Sequence, residues 1–132
     1  FLIIHDWKRP WRITGNSSVY RFKLGAFPGL LPYFREHFDE IRQKFRNEQA
    51  YLSWYVDREG KQTYWPESWC KSYKYHCLQK IPMAYFKPPV KPEGAKIIVF
   101  HGEINPPDAV NGGGGKWYRY VLPSQWIKDA WQ

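Results

Sequence analysis

The order of apolar and polar residues along the chain predicts a succession of short strands and helices. Residues 1 to 5 form an apolar run that is typical of a strand ending at His5, and "SSVYRF" predicts a second strand after a basic, aromatic loop. Between Leu30 and Phe45, apolar residues recur at steps of three and four with charged residues between them. This period predicts one amphipathic helix whose apolar stripe covers the sheet, and Pro28 and Pro32 suit its first turn.

A second helix is predicted to begin directly after Asn47. Asparagine is a favourable N-cap, and Glu48 suits the positive end of a helix dipole. Gly60 is expected to end this helix. Its inner face is predicted to consist of Tyr51, Leu52, Tyr55 and Val56.

The remainder of the chain predicts short β-prone pieces and one closing helix. Between residues 62 and 92, pieces such as "QTYW" and "SYKYHC" are interrupted by prolines and leave little room for helix. The apolar run "KIIVF" predicts a central strand buried on both faces. The ending "PSQWIKDAW" predicts a short helix with Trp126, Ile127, Ala130 and Trp131 turned inward. Helices on a mixed sheet give an α/β or α+β fold, and we take α/β; the absence of internal repeats excludes a solenoid.

The length of 132 residues is typical of one domain, so we predict a single domain over 1–132. The chain opens on apolar residues without a methionine, and we interpret it as a piece of a larger protein. No apolar run approaches the roughly 20 residues that span a bilayer, and a signal-peptide pattern is absent. We therefore expect a soluble, cytoplasmic protein without a transmembrane segment, with peripheral association at the inner membrane face as the alternative.

Charge and aromatic content both point towards a ligand. The net charge is +8, and the basic residues are scattered, which favours an anionic ligand or surface over a basic tail. Aromatic residues make up 20% of the chain, more than one core of this size is expected to hide. Some of them should therefore face a sugar, a nucleobase or a membrane interface. Cys70 and Cys77 cannot complete a zinc site alone, so we expect reduced thiols, with a disulfide as the less favoured alternative.

His101 is the best-placed titratable group, because it follows the predicted central strand and ligands bind at the carboxyl ends of strands in open α/β sheets. A histidine satisfied by a backbone partner is the more frequent case at such a position. Local motifs do not build a complete metal site, since HExxH and Asp-x-Asp are absent. The glycine run 112–115 before Lys116 could present backbone N–H groups to an anion, and an ordinary surface loop is equally consistent with it.

Other polar and aromatic residues leave two interpretations open. Glu48 and Gln49 could offer a carboxylate and an amide to sugar hydroxyls, although acids at a helix start more often only complement the dipole. Asn16 and Ser17 fit either turn chemistry or a hydrogen-bonding shelf at a sheet edge. The segment "WPESWCKSYKYHC" fits stacking on single-stranded nucleic acid. The segment matches no recognition module, so nucleic acid is not the favoured partner. The favoured interpretation is an aromatic core with lysines at its surface.

Four segments, taken in order, carry a resemblance to a known family. They are "NSSVYRFKLGAF", "NEQAYLSWYV", "YWPESWCKSYKYHC" and "KIIVFHGEINPPDAVNGGGGKWY". Together they resemble the later half of bacterial, phage and marine-microbial glycosyltransferase-like proteins, which are distantly similar to the glycogenin and lipopolysaccharide galactosyltransferase group. The resemblance covers nearly the whole chain. Its most specific parts are "VFHGEINPPDA" and the ending "PSQWIKDAW".

The resemblance implies a partial GT-A type sheet and transfer of a hexose from a nucleotide-diphosphate sugar to a glycan or lipid-linked acceptor. His101 would be the last ligand of a divalent metal, Mn or Mg, that bridges the donor diphosphate, and Gly102 would keep the backbone close to the phosphates. Asn16 and Ser17 would line the donor sugar pocket. The implied catalytic residues are Gln49 and Glu48, near the anomeric carbon.

The departures from the family pattern limit what the resemblance implies. In better-known relatives a Lys-Pro-Trp follows the histidine, whereas this chain has Asn105 and two prolines, and Lys116 is the candidate replacement for holding the diphosphate. Stacking on sugar rings is assigned to Trp65, Trp69 and Trp117. The Asp-x-Asp motif that should share the metal is absent, so this chain alone should be catalytically silent. The alternative is a non-catalytic basic, aromatic module that binds glycan or single-stranded nucleic acid.

Overall fold

A computed structural model describes residues 1–113, 118 and 120–130. These residues form helices and two small sheets, which confirms the predicted α/β class at this coarse level. Two compact units are distinguished, Phe1–Glu67 (unit 1) and Ser68–Gln132 (unit 2), and each is described by itself. The single domain over 1–132 stays a prediction. Among the described residues, no helix has the length and apolar character needed to cross a membrane.

The sheet of unit 1 has three strands in the order β2-β1-β3. The apolar start of the chain forms the central strand β1 (Leu2–Ile4), which pairs antiparallel with β2 (Asn16–Arg21) and parallel with β3 (Thr63–Tyr64). The two strands predicted near the start of the chain are therefore confirmed. The register between β1 and β2 shifts within β1, so that Ile4 lies opposite Asn16, the first residue of β2.

The prediction of one continuous helix from Leu30 to Phe45 is wrong. The segment forms two helices, α1 (Leu30–Glu36) and α2 (Phe38–Lys44), separated at His37 with φ −111° and ψ 29°. The apolar period continues through the break, so the spacing of apolar residues does not reveal it. The apolar stripe packs on the helix that follows these two. The shared cluster contains Ile41, Tyr51 and Tyr55 with Phe27, Leu30, Tyr33, Phe34, Phe45 and Trp54.

The third helix, α3 (Glu48–Arg58), begins and ends where the sequence predicts. Asn47 caps its start, since Ala50 N donates to Asn47 Oδ1 at 3.2 Å. Gly60 follows its end with φ +63°, a conformation that favours glycine, and donates its N–H to the Asp57 carbonyl at 2.8 Å. The predicted inner residues Tyr51, Tyr55 and Val56 are buried, and Leu52 is half-buried.

The sheet of unit 2 has two parallel strands, β4 (Cys70–Ser72) and β5 (Ile97–Val99). The prediction of a central strand buried on both faces is wrong, because β5 pairs only with β4 among the described residues and Ile97 is 37% exposed. A β-branched run indicates a strand but does not tell how many strands surround it.

Cys70 and Cys77 are both buried and are not joined in a disulfide, which confirms the expected reduced thiols. Burial raises the pKa of the Cys77 thiol to about 11, and it also raises the pKa of the Cys70 thiol. Both side chains are therefore protonated at neutral pH, and they behave as small apolar residues of the core rather than as nucleophiles.

The prediction of a strand over "SYKYHC" is wrong beyond Ser72, because a π-helical turn spans Tyr73–Cys77. The Ser72 hydroxyl caps this turn by accepting from Tyr75 N at 3.2 Å. A strand would place Tyr73, Tyr75 and Cys77 on one face, but only Tyr73 and Cys77 enter the core. The three residues between them, Lys74, Tyr75 and His76, are exposed.

Two short helices complete unit 2, α4 (Pro106–Asn111) and α5 (Gln125–Ala130). The predicted closing helix is confirmed, with Ile127 buried and Trp126 half-buried, but Ala130 is exposed, and Trp131 lies outside the described residues. Six helical residues have fewer than two turns, so they present few positions to a core. The core contains Tyr73, Cys77, Ile104, Ala109, Val121 and Ile127.

Candidate functional site

In unit 1 the structure brings together four residues that the sequence singled out, at the starts of β2 and α3. We refer to Asn16, Ser17, Glu48 and Gln49 as the β2–α3 cluster. Ser17 Oγ donates to Glu48 Oε1 at 2.8 Å, and Ser17 N lies 3.5 Å from Gln49 Oε1. Asn16 Oδ1 accepts from Ser18 N at 2.9 Å. Residues about thirty positions apart in sequence therefore form one polar surface.

A buried hydrogen bond fixes the position of this cluster. Gly15 N, immediately before β2, donates to the hydroxyl of Ser53 on α3 at 2.9 Å, and Ser53 is fully buried. No larger residue fits in place of Gly15, because a Cβ there would lie 2.7 Å from the Ile3 side chain and 2.8 Å from the Ile4 carbonyl oxygen. The glycine and the serine thus hold the start of β2 against α3.

The β2–α3 cluster offers the hydrogen-bonding groups that a sugar requires. Glu48 is exposed in the first turn of α3, and Gln49 is half-buried beside it. Carboxylate and amide oxygens accept hydrogen bonds from hydroxyls, whereas the Asn16 and Gln49 amides also donate. The contacts of Ser17 with Glu48 and Gln49 orient these groups without any ligand.

In unit 2, His101 lies two residues after β5 and is held by the hydroxyl of a buried serine. Its Nε2 is 2.7 Å from Ser72 Oγ, and Ser72 is fully buried at the end of β4. The ring centroid of His101 is 5.4 Å from that of Tyr75. The sequence favoured a backbone partner for this histidine, and the structure shows a side-chain hydroxyl in contact with Nε2.

His101 borders a cleft of about 610 Å³ in unit 2. We call it the tyrosine cleft, because its lining includes Tyr73, Tyr75, Tyr118 and Tyr120. The π-helical turn forms one wall, and the residues that follow β5 form another. Its volume lies within the range of about 300–1,000 Å³ that is usual for small-molecule sites.

The described residues do not fit a complete metal centre. No group of three or more His, Cys, Asp or Glu side chains among them could hold an ion. The Ser72 hydroxyl engages Nε2 of His101, so a metal would have to bind Nδ1. The divalent ion that the resemblance implies, shared with carboxylates outside this sequence, stays a prediction, and no chemical step is derived through it.

Of the residues predicted to contact the donor phosphates, Gly102 and Asn105 belong to the described part of the chain, and both have positions that local backbone structure explains. Gly102 is exposed with φ +90°, and the space beside its Cα is open. Asn105 precedes α4, and its backbone N–H donates to Asp108 Oδ2 at 3.0 Å, as in a capping box. Lys116 lies outside the described residues, as do Gly114 and Gly115.

The three tryptophans assigned to sugar stacking are not part of the tyrosine cleft where they are described. Trp65 is half-buried in unit 1. Trp69 belongs to unit 2, is 43% exposed, and does not line the cleft. Trp117 lies outside the described residues.

Sequence reasoning missed Ser72, Tyr75 and Lys74 as site residues. Tyr75 and Lys74 belong to the segment for which an aromatic core was favoured, and the structure divides that segment. Tyr73 is buried in the core, whereas Lys74 and Tyr75 are exposed, and all three line the cleft. The sequence feature that could have identified Lys74 and Tyr75 as site residues is the placement of a lysine between two tyrosines. No sequence feature identifies Ser72, because its role depends on a contact with His101, which is 29 positions away.

Comparison of the chain with protein-family models, with curated proteins and with solved structures finds no significant match. The function must therefore be inferred from the chemistry of the two groups of residues described above.

Acidification should destabilise unit 2 through His76. Its Nδ1 lies 3.0 Å from Ser72 N, which can only donate, and 3.2 Å from Ser72 O, which can only accept. The neutral ring can accept from the amide, whereas the protonated ring can only donate to the carbonyl and loses the contact with the amide. Partial burial lowers the pKa of His76 from its usual 6.5; the Ser72 backbone opposes this shift and Lys71 adds to it. The unfolded chain therefore binds this proton at higher pH than the folded one. The stabilisation is complete above the unfolded pKa and is lost as the pH falls through the lower, folded pKa.

Thermal unfolding from about pH 7.5 to about pH 5, across the usual histidine pKa, tests this expectation. His76→Asn is the comparison, because its amide oxygen can replace the Nδ1 acceptor without titrating. The melting temperature of the unmodified chain should fall more steeply with acid than that of the variant. Parallel curves for the two proteins would show that His76 does not contribute.

Proposed function

We propose that this chain contributes to glycosyl transfer from a nucleotide-diphosphate sugar to a glycan or lipid-linked acceptor, with the β2–α3 cluster holding the donor sugar. The observation that supports the proposal most is the contact of Ser17 with both Glu48 and Gln49. The resemblance assigns these same residues to one sugar pocket. A partial GT-A type fold is part of the proposal, and the mixed sheet β2-β1-β3 is compatible with it.

The proposed chemistry uses oxygen atoms at the start of α3. As the sugar leaves its diphosphate, positive charge develops at the anomeric carbon, and fixed dipoles or charges aimed at it lower the barrier. The Gln49 amide oxygen and the Glu48 carboxylate are the groups proposed for this role. Ser17 fixes both of them before the ligand arrives, which reduces the cost of ordering them on binding.

Two further features support an anionic donor and a cytoplasmic location. The excess positive charge of the chain, +8, suits an anionic donor. Buried thiols at Cys70 and Cys77 that are not joined in a disulfide suit a reducing compartment, so a cytoplasmic location is part of the proposal.

Binding of the donor is the direct test, because the chain alone is expected to be catalytically silent. Amide chemical shifts of the ¹⁵N-labelled chain are followed during titration with nucleotide-diphosphate hexoses and with the matching free nucleotide diphosphates. The shifts of Ser17 and Gln49 should respond to the sugar-bearing form. Gln49→Ala should weaken its binding about 2- to 12-fold, the value of one hydrogen bond of about 0.5–1.5 kcal/mol.

Gln43→Ala is the matched control, since Gln43 is an exposed glutamine on α2 of the same unit. Equal affinity in the Gln49 and Gln43 variants would remove Gln49 from the sugar pocket. If nucleotide sugars leave every amide of unit 1 unchanged while an oligonucleotide binds with steep salt dependence, a nucleic-acid module replaces this proposal.

A further inference from the structure

The tyrosine cleft combines a cation, aromatic rings and polar groups in one concave surface. Lys74 and Lys80 both line it, and Lys74 Nζ lies 5.7 Å from the centroid of the Tyr75 ring. Tyr75 is 44% exposed, and its ring is therefore accessible at the cleft surface. Gln79 and Glu103 add an amide and a carboxylate to the lining.

From this combination we propose that the tyrosine cleft binds an anionic saccharide, that is, a sugar ring bearing a phosphate, sulfate or carboxylate group. The faces of pyranose rings are apolar and pack on aromatic rings such as that of Tyr75. Lys74 and Lys80 pair with the anionic substituent. Glu103 accepts hydrogen bonds from sugar hydroxyls, and its negative charge disfavours a run of phosphates such as that of a nucleic acid.

Ser72 acts as the positioning residue of this cleft. Its hydroxyl lies 2.7 Å from His101 Nε2 and accepts from Tyr75 N at 3.2 Å, so one buried group fixes both walls. With the rings held in place, less side-chain entropy is lost when the saccharide binds. This inference does not rest on the proposed transfer reaction, because it requires neither a nucleotide nor a metal.

Titration of the ¹⁵N-labelled chain with glucose 6-phosphate, glucuronate, glucose and inorganic phosphate tests the proposal. Both anionic sugars should shift the amides of 73–80 and 101–104, and each should bind at least about tenfold more tightly than glucose, the effect of one charged hydrogen bond of about 1.5 kcal/mol. Inorganic phosphate should also bind more weakly than glucose 6-phosphate. Equal affinity for glucose and glucose 6-phosphate would overturn the proposal, as would equal affinity for inorganic phosphate and glucose 6-phosphate.

Matched variants locate the site. Lys74→Gln should weaken glucose 6-phosphate binding about tenfold, whereas Lys91→Gln, an exposed lysine of unit 2 that does not line the cleft, should leave it unchanged. Ser72→Ala should weaken binding while the amide spectrum stays that of a folded protein, and Ser72→Thr, which keeps a hydroxyl, should restore part of the affinity. Equal losses in the two lysine variants would indicate a non-specific charge effect and refute the site. Because these probes contain no nucleotide, their failure would leave the donor-binding proposal unaffected.

Discussion

Tyr73→Ala is expected to lower the free energy of unfolding of unit 2 by about 3–5 kcal/mol, as large-to-small substitutions of buried aromatic residues do. The side chain is 1% exposed and belongs to the core cluster with Cys77. Its ring stacks on Phe100 with centroids 4.6 Å apart, and its hydroxyl lies 3.3 Å from Ser124 Oγ, where either group can donate. The variant would leave both a cavity and an unpaired buried hydroxyl. A domain of this size has only a small margin of stability, so a loss of this size should remove a large fraction of it.

Chemical denaturation followed by tryptophan fluorescence measures this loss. Tyr73→Phe removes only the hydroxyl, and it should cost about 1 kcal/mol. Tyr75→Ala is the matched control in the same turn, because Tyr75 is 44% exposed and its removal should change stability by less than about 1 kcal/mol. A similar loss for Tyr73→Ala and Tyr75→Ala would show that the π-helical turn does not divide these two residues between core and surface.

Gly15→Ala is expected to lower the free energy of unfolding by about 1–3 kcal/mol through overpacking. The new Cβ would meet the Ile3 side chain at 2.7 Å and the Ile4 carbonyl oxygen at 2.8 Å. The backbone oxygen belongs to the central strand and cannot move aside at low cost. The start of β2 must therefore shift, and the hydrogen bond from Gly15 N to Ser53 Oγ should lengthen or break.

The same shift should displace Asn16 and Ser17 from the start of α3, so Gly15→Ala should also weaken any binding of nucleotide sugars. Denaturation gives the stability change, and amide shifts of Ser17 and Gln49 report the displacement. Ser18→Ala serves as the control, since Ser18 is exposed on the same strand and only its backbone N–H bonds to Asn16. Wild-type stability in Gly15→Ala would contradict the close packing between Gly15 and β1.

The elements that could be predicted from the sequence are those with strong local signals. Asn47 and Gly60 predict both ends of α3, because capping and a positive φ depend on single residues. The break at His37 and the π-helical turn at Tyr73–Cys77 could not be predicted in this way. In both segments the apolar positions fit a regular period, and only tertiary packing decides where the period is interrupted.

The site residues also divide into those with a local sequence signal and those whose arrangement depends on tertiary packing. Asn16, Ser17, Glu48 and Gln49 are singled out by their side-chain chemistry and by the resemblance, but neither composition nor periodicity indicates that they meet. Their contact depends on Gly15 and on the shift of register between β1 and β2, which are properties of the folded sheet. For the tyrosine cleft, the sequence predicts a site at His101, after β5, but it does not predict the wall that the π-helical turn forms.

The π-helical turn between Tyr73 and Cys77 has a consequence for how this protein tolerates mutation. Its two ends, Tyr73 and Cys77, pack in the core, whereas Lys74 and Tyr75 are exposed and line the tyrosine cleft. His76 differs from these two, because its Nδ1 contacts the backbone of Ser72. A library that varies positions 74 and 75 should therefore retain folded members in large numbers, while a library at positions 73 and 77 should not. Ligand preference could change through the two exposed positions at little cost in stability, which makes them the natural starting point for redesigning what the cleft binds.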